Sequence, residues 1–282
     1  MNFVNFGEVL FDIFPDKEKL GGAPLNVAAH LTKFGMKGIT VSAVGKDKLG
    51  ERAVKEIESI GLSTEGIARI DKETGKAFIT MKGNDADYTF NEDNAWDNIP
   101  LPKLPEETDV LYFGSLAQRA AKSRETLQSI LSRVKSKMVF FDVNIRKNYY
   151  SREILEESLS KANILKLNDE EIDTVLSNLP IRNSGMEGLE ELKEKYGLDL
   201  ILLTLGKDGS MCYRNKWHKV VPEPTTVVDT VGAGDSLSAG FIYTYLKTND
   251  VDEALGFGSK VASIVVAHRG AIPDYDVKAL GL

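Results

Sequence analysis

Short apolar runs alternate with amphipathic stretches along nearly the whole chain, and that order admits few folds. Asn2–Phe6, Gly38–Val44, Val110–Phe113, Met138–Asp142, Asn163–Leu167 and Leu200–Thr204 have strand length and apolar character. Helical stretches lie between and after them. Pro24–Phe34 carries proline in its first turn, where the missing N–H costs nothing. Glu51–Ile60 is closed by Gly61. Ser123–Val134, a helix after Asn163–Leu167, the solvated face Glu187–Lys195, and finally Ala233–Lys247 and Val251–Ala267 complete the series. Strands alternating with helices predict a doubly wound α/β fold, a mostly parallel sheet with helices on both faces. All 282 residues fit one such domain. Sheets of this kind hold ligands at the carboxyl ends of their strands, so chemistry is expected just past each strand.

Two stretches break the alternation. Val9–Phe14 alternates like a strand but leads into no helix, and Gly75–Phe90 reads as two strands around a Gly-Asn-Asp turn. Residues 8–14 and 75–95 are therefore expected to form a small second sheet, a lid over the main one. The plainer alternative is a hairpin on the main sheet's edge. So small a sheet leaves N–H and C=O groups unpaired at its edges. It should then be mobile without ligand, or be covered by the same sheet of a second subunit in a homodimer.

Composition removes several classes of partner. The formal net charge is -7 and no Lys/Arg block occurs, which argues against nucleic acid. Cys212 is the one cysteine, so no intrachain disulfide forms. The first residues show no basic segment followed by a long apolar run. No stretch approaches the roughly 18 apolar residues of a membrane helix. The expectation is a cytoplasmic protein without a membrane partner. His30, His218 and His268 are scattered without metal-ligand spacing and read as structural.

The most informative segment is VVDTVGAGDSLSAGFI, residues Val227–Ile242. Gly232-Ala233-Gly234 lets the backbone approach a ligand closely, and the helix that follows offers free N–H groups and the positive end of its dipole. A phosphate fits such a turn. Asp235 lies in the first helical turn, where an acid can simply stabilise the helix. Yet an acid beside an anion site repels the anion, unless the carboxylate takes a proton from a hydroxyl that receives the phosphoryl group. No Gly-Lys pair is followed by Ser or Thr, so there is no Walker A loop. Leu237 replaces the third glycine of a dinucleotide fingerprint, which weakens a dehydrogenase reading.

Asp229-Thr230-Val231-Gly232-Ala233-Gly234-Asp235, with Ser238-Ala239-Gly240-Phe241, resembles the C-terminal signature of ribokinase-like (phosphofructokinase-B) carbohydrate kinases. Gly21-Gly22-Ala23-Pro24-Leu25-Asn26-Val27-Ala28, with Gly35 and Gly45, resembles their N-terminal signature. Gly45-Lys46-Asp47 with Gly50, Asp142-Val143-Asn144-Ile145-Arg146, Lys166-Leu167-Asn168-Asp169-Glu170-Glu171 and Thr204-Leu205-Gly206-Lys207-Asp208-Gly209 follow in family order. GGAPLNVA and FGEVLFD look most like the fructokinase branch. The resemblance implies ATP with Mg²⁺, and a doubly wound domain with a β lid. Asp235 would be the base, and the N–H groups of Gly232, Ala233 and Gly234 the anion hole. Asp12, Gly22 and Asn26 would hold the sugar, with Phe90 and Arg146 beside them. Asn168, Glu171, Thr204, Gly206, Gly209 and Ser259 would line the nucleotide and its magnesium waters. Asp229, the carbonyl of Val231, and backbone at Val266, Arg269 and Ala271 would hold a monovalent cation such as K⁺. Val143 stands where the motif commonly has proline, and Asp85-Ala86-Asp87 stands where many fructokinase-like members carry arginine.

Local readings compete with these roles. Asn168 and Glu171 have capping-box spacing. Asp12 can be a solvated lid residue and Asn26 a cap, although both side chains suit sugar hydroxyls. Arg146 can be a surface ion pair, worth about 0–1 kcal/mol. The expected reaction is ATP plus a sugar, fructose first, giving ADP and sugar phosphate. A 2-keto-3-deoxygluconate or nucleoside kinase, or a non-catalytic sugar- or nucleotide-binding regulator, remains in play. A ketoacid would call for a cation such as Arg146 or Arg119.

Overall fold

Each apolar run becomes a strand, and the strands pair in the manner the alternation dictates. The computed structural model describes residues 1–82 and 85–281. The chain begins β1 (Asn2–Phe6), β2 (Leu10–Ile13), β3 (Glu18–Gly21), α1 (Ala23–Lys33), β4 (Lys37–Gly45), α2 (Lys48–Ser59) and β5 (Ile67–Ile70). It continues β6 (Gly75–Lys82), β7 (Asp85–Phe90), β8 (Glu107–Gly114), α3 (Ala121–Arg133), β9 (Lys135–Asp142), α4 (Arg152–Leu159), β10 (Ile164–Asn168) and α5 (Ile172–Ser177). It ends α6 (Gly185–Tyr196), β11 (Leu200–Thr204), β12 (Ser210–Tyr213), β13 (Trp217–Val220), α7 (Ala233–Thr248) and α8 (Val251–Val266).

The main sheet is 9-stranded in the order β13-β12-β11-β10-β9-β8-β1-β4-β5. From β11 to β5 every pairing is parallel, while β12 and β13 add an antiparallel edge. Side chains alternate between the faces, as the period of a strand requires. Phe3, Val110, Tyr112 and Phe140 pack with α1, α2, α7 and α8. Val4, Phe6, Leu111, Phe113 and Phe141 pack with α3, α4, α5 and α6. The chain leaves β1 toward β4 on one side and returns to β8 on the other, so strand order reverses between β1 and β8. The crevice beyond their carboxyl ends is where such sheets hold ligands.

Two features go beyond the expectation, and the separate second sheet agrees with it. Strands β3 and β5 have four residues each, too short to show a period. The β12–β13 hairpin turns through Arg214-Asn215-Lys216, without the glycine pair that marks such turns. The second sheet is separate from the main one and has the order β3-β2-β6-β7, with β2 and β6 parallel. The turn expected at Gly83-Asn84 lies outside the described residues. Leu10, Ala77 and Phe90 of this sheet pack with Trp96 into the main core, while Arg52 of α2 stacks on Phe11 and bonds Glu18 of β3. Among the described residues no helix is long and apolar enough to cross a membrane.

Helices α7 and α8 touch backbone to backbone. A Cβ on Gly240 would lie 2.8 Å from Cα of Gly258, and one on Gly258 would lie 2.7 Å from the carbonyl oxygen of Leu237. This contact sets the height of α7, and with it the position of the residues at its start. Gly258→Val should therefore destabilise the fold by about 1–3 kcal/mol through overpacking. Urea denaturation measures it; an unchanged midpoint would mean that the helix pair gives way freely.

Candidate active site

Gly232 caps α7 with a left-handed φ of 78°, and a Cβ there would lie 2.5 Å from Cβ of Ala271. Only glycine fits both the conformation and the space. The N–H groups of Gly234 and Asp235 belong to the first turn, which a helix leaves without carbonyl partners. A Cβ on Gly234 would meet only the Lys166 side chain, 3.5 Å from its Nζ. The turn therefore opens beside a buried ammonium group.

Asp235 is the third residue of α7 and reaches across to α1, where its Oδ2 accepts a hydrogen bond from Asn26 Nδ2 at 2.8 Å. Burial pushes its carboxyl up to about 6. The Asn26 bond and the charges of Lys166 and Arg146 pull against that rise, and the Asp142 carboxylate adds to it. A buried carboxyl held near neutrality can exchange a proton with a ligand.

Beneath the turn, three adjacent strands supply a polar chain. Tyr112 of β8 donates to Asp142 Oδ2 at 2.9 Å, and Lys166 of β10 donates to Asp142 Oδ1 at 3.0 Å. Burial alone would lower the Lys166 ammonium, but the carboxylates of Asp142 and Glu171 outweigh it and its pKa rises. Glu171 accepts the backbone N–H of Asn168 on Oε2 at 2.9 Å and that of Ile145 on Oε1 at 2.7 Å. Asn168 Oδ1 in turn accepts the N–H of Glu171 at 2.9 Å, which completes the capping box that its spacing predicts. Both carboxylate oxygens of Glu171 are thus held by amides. Lys166 received no role from the sequence alone. Its signal was a charge inside the buried strand ILKLN, opposite in facing to Leu165 and Leu167.

On the other side of Asp235 lie Glu8, Gly22 and Asp12. Gly22 has φ 118°, and a Cβ there would lie 2.2 Å from the carbonyl oxygen of Glu8. Glu8 accepts the N–H of Ala23 at 3.2 Å, and burial pushes its carboxyl up to about 7. Asp12 of β2 is raised by burial to about 6, with Arg146 and Lys19 drawing it down. Arg146 stands over Tyr88 of β7 at 5.6 Å, in a loop where Asn144 and Lys147 take positive φ. Phe90 is buried, edge-on to Trp96 and Tyr149. Arg119 forks onto Asp97 at 2.8 Å through both Nε and Nη2 and stacks on Trp96 at 4.0 Å. Its charge is already matched. A cavity of about 120 Å³ lies between Asp12, Lys19, Gly21, Asn26, Asp229 and Ala271.

Asn168 and Thr204 end neighbouring strands in register. The turn after Thr204 needs its glycines: Gly206 has φ 55°, Gly209 has φ 99°, and a Cβ on Gly209 would lie 2.1 Å from the carbonyl oxygen of Val220. Ser259 is buried on α8, next to Gly258 where α8 meets α7.

Three of the groups expected around a monovalent cation, Asp229, Val266 and Ala271, accept hydrogen bonds within the chain. Asp229 accepts the N–H of Val231 on Oδ1 at 3.1 Å and that of Gly270 on Oδ2 at 2.9 Å. The carbonyl of Val266 accepts from Val228 at 2.8 Å and from Asp229 at 3.2 Å. The carbonyl of Ala271 meets Nε2 of His30 at 2.9 Å. A carbonyl only accepts, so that nitrogen carries the proton and Nδ1 accepts from Tyr275 Oη at 2.8 Å. Burial keeps this imidazole neutral by lowering it to about 4. The Asp229 and Ala271 oxygens each accept one hydrogen bond and keep a further lone pair, so these bonds do not exclude a dissolved ion. Among the described residues no group of three or more His, Cys, Asp or Glu side chains is placed to hold a metal.

The Asn26 bond stabilises the charged form of Asp235, so its loss must raise the carboxyl further above about 6. Asn26→Leu should shift the Asp235 midpoint upward in a carbon-13 NMR titration of labelled aspartate. A midpoint that stays in place would mean that the amide does not hold the carboxylate.

Comparison with known proteins agrees with this architecture. An uncharacterized sugar kinase of Pyrococcus horikoshii is 31% identical over 95% of this chain and 90% of its own length. Its structure in complex with ATP matches with a TM-score of 0.81 at 27% identity, covering 96% of this chain and 94% of that one. A nucleoside kinase of Methanothermobacter thermautotrophicus is 31% identical over 90% of this chain and 81% of its own length. The fructokinase of Vibrio cholerae, in its fructose, ADP and calcium ion bound form, has the same fold, with a TM-score of 0.87 at 21% identity over 99% of this chain and 97% of that one. The model of the pfkB family carbohydrate kinases matches residues 6–278. This chain belongs to the pfkB family of carbohydrate kinases.

Proposed function

We propose that this chain transfers the terminal phosphoryl group of MgATP to a hydroxyl of a hexose, fructose first, with Asp235 as the base. The observation that carries the reading is the placement of Asp235. It is a buried carboxyl near neutrality, between an anion-binding helix start and the amide of Asn26. The N–H groups at Gly232 and Gly234 and the ammonium of Lys166 face the transferring group as charge builds on its oxygens, while the Ala233 N–H, expected in the same hole, donates to the Thr230 carbonyl at 3.2 Å. The acceptor oxygen attacks phosphorus, its proton passes to Asp235, and the bond to ADP breaks. Asn168, Glu171, the Thr204–Gly209 turn and Ser259 hold the nucleotide and the water around its magnesium. The small sheet closes over the acceptor and keeps water from taking the phosphoryl group. Phe78 is 43% exposed on that sheet, and a second subunit packed there would cover it.

Several polar groups aim at the acceptor cavity. Asn26 Oδ1 is buried and accepts no hydrogen bond within the chain. A sugar hydroxyl would satisfy it, and a buried acceptor left alone is costly. Asp12 accepts two hydroxyls readily. GGAPLNVA and FGEVLFD favour fructose. A ketoacid would need a free cation, and Arg119 is committed to Asp97, which leaves Arg146. The Methanothermobacter nucleoside kinase keeps a nucleoside acceptor as the second reading.

Asp235→Asn should keep the fold and ATP affinity while lowering kcat roughly 10²–10⁴-fold. Near-normal turnover in the purified variant would sink the base assignment. Because Asp235 must be ionised and its carboxyl is raised to about 6, kcat/KM should rise with pH through about 6 and level off above it. A profile already flat down to the ordinary carboxylate range would place the base elsewhere.

Acceptor choice is tested by ADP release with ketohexoses, nucleosides and ketoacids. Fructose should turn over fastest, and Asp12→Ala should weaken acceptor use far more than ATP binding. Turnover with nucleosides alone would replace the hexose while leaving the phosphoryl chemistry in place.

A further inference from the structure

We infer that Glu8 is a positioning residue for the base: its carboxyl caps α1 from the end of β1, and so holds Asn26 where it meets Asp235. The inference rests on the reading of Asp235 given above. A helix start needs acceptors for its free N–H groups, and the cap residue normally brings one on its own side chain. Here that residue is Gly22, which brings none. Its φ is 118°, and a Cβ would lie 2.2 Å from the Glu8 carbonyl oxygen, so no residue with a side chain fits. Gly21 is confined as well, since a Cβ there would lie 2.9 Å from Asp12 Oδ2 beside the acceptor cavity. The first turn of α1 carries no acid either. The turn that lets an acceptor approach therefore has no cap of its own.

Glu8 supplies the cap from another element. Its Oε1 accepts the N–H of Ala23, the first residue of α1, at 3.2 Å. Two neighbours fix the same turn sideways. Asn5 Nδ2 donates to the Pro24 carbonyl at 3.0 Å, and a Cβ on Gly7 would lie 2.5 Å from Pro24 Cγ. Proline has no N–H to hold, so the bond to Ala23 is the one that ties down a donor at the very start of the helix. The turn closes where the Asn26 N–H meets the Gly22 carbonyl at 2.9 Å. From there Asn26 Nδ2 reaches Asp235 at 2.8 Å. The path from Glu8 through Ala23 and Asn26 to Asp235 is unbroken.

The cap depends on reach more than on charge. A residue that merely filled this space would be apolar, because burying a carboxyl to 3% exposure is costly. That burial raises Glu8 to about 7, so it is largely neutral while Asp235 titrates near about 6. A neutral carboxyl still accepts a hydrogen bond through its carbonyl oxygen. The charged groups that bear on Glu8 are Asp235 of α7 and Arg146 of the loop after β9.

Two conservative variants separate reach from charge. Glu8→Asp keeps the acid but withdraws it by a methylene, and Glu8→Gln loses the acid but keeps the reach. The Asp235 midpoint is read by carbon-13 NMR of labelled aspartate, with Asp235→Asn to assign its signal. A hydrogen bond to a carboxylate is worth about one to two pH units of midpoint. Glu8→Asp should raise the midpoint by at least about half a unit, as the Asn26 bond weakens. Glu8→Gln should leave it in place. In an Asn26→Leu background Glu8→Asp should add nothing, because the group it positions is gone. A midpoint unmoved by Glu8→Asp would overturn the inference. So would an equal shift with and without Asn26, or a downward shift in Glu8→Gln, the mark of a charge acting directly on Asp235. In ADP release with acceptor, the pH at which kcat/KM levels off should rise with the midpoint in Glu8→Asp. That arm rests on the kinase reading, but the NMR arm does not. Absent turnover, or a pH profile that ignores the shifted midpoint, would count against Asp235 as the base while the NMR cycle still decides the role of Glu8.

Discussion

A carboxylate buried at the start of a helix is tolerable only if positive charge or hydrogen-bond donors surround it, and Asp235 imposes that demand on the whole molecule. Its donor, Asn26, lies 209 residues away in sequence. Helices α1 and α7 must therefore meet for the site to exist. Lys166 reaches the same place from the middle of the sheet, and it stays charged there because Asp142 and Glu171 outweigh the cost of burying it. Breaking such a set by removing one partner leaves an uncompensated charge in a dry crevice. The parallel sheet provides the geometry: β8, β9 and β10 end side by side, so Tyr112, Asp142 and Lys166 can form a chain at one level.

The same level divides the crevice. Residues that follow β10 and β11 form one side of the crevice, and residues from α1 and the small sheet form the other. The turn Gly232-Ala233-Gly234 lies between them because α7 packs on α1 and, through Gly240 and Gly258, on α8. Small residues are needed where backbones touch and where the turn opens, and they recur at those points.

Much of this was readable from the chain. The parallel core was visible because buried strands are continuous apolar runs bounded by helices. The turn at Gly232 was visible because glycine there answers a conformational need, and the Asn168–Glu171 box because its spacing is local. Contacts between distant segments left no such trace. Glu8 and Asp142 lie within motifs, but nothing local shows that Glu8 faces the same crevice as Asp235, or that Asp142 holds Lys166. Arg119 looked available to an acceptor anion, yet it is bound to Asp97, 22 residues before it. Four-residue strands such as β3 and β5 carry too few positions to reveal a period.

The parallel pairing of β2 with β6 bears on how the chain reaches this state. Leu10 stands opposite Gly75, and between them the chain forms α1, β4, α2 and β5. A parallel pair cannot close through a tight turn, so the small sheet has no local nucleus for its central contact. Loop-closure entropy for that contact falls only once the intervening units have packed. The small sheet should thus assemble late and open early, as a foldon of low stability on a sturdier core. The crevice edge at Asp12 and Lys19 then belongs to the weakest cooperative unit of the molecule, which can open while the helices beneath stay packed.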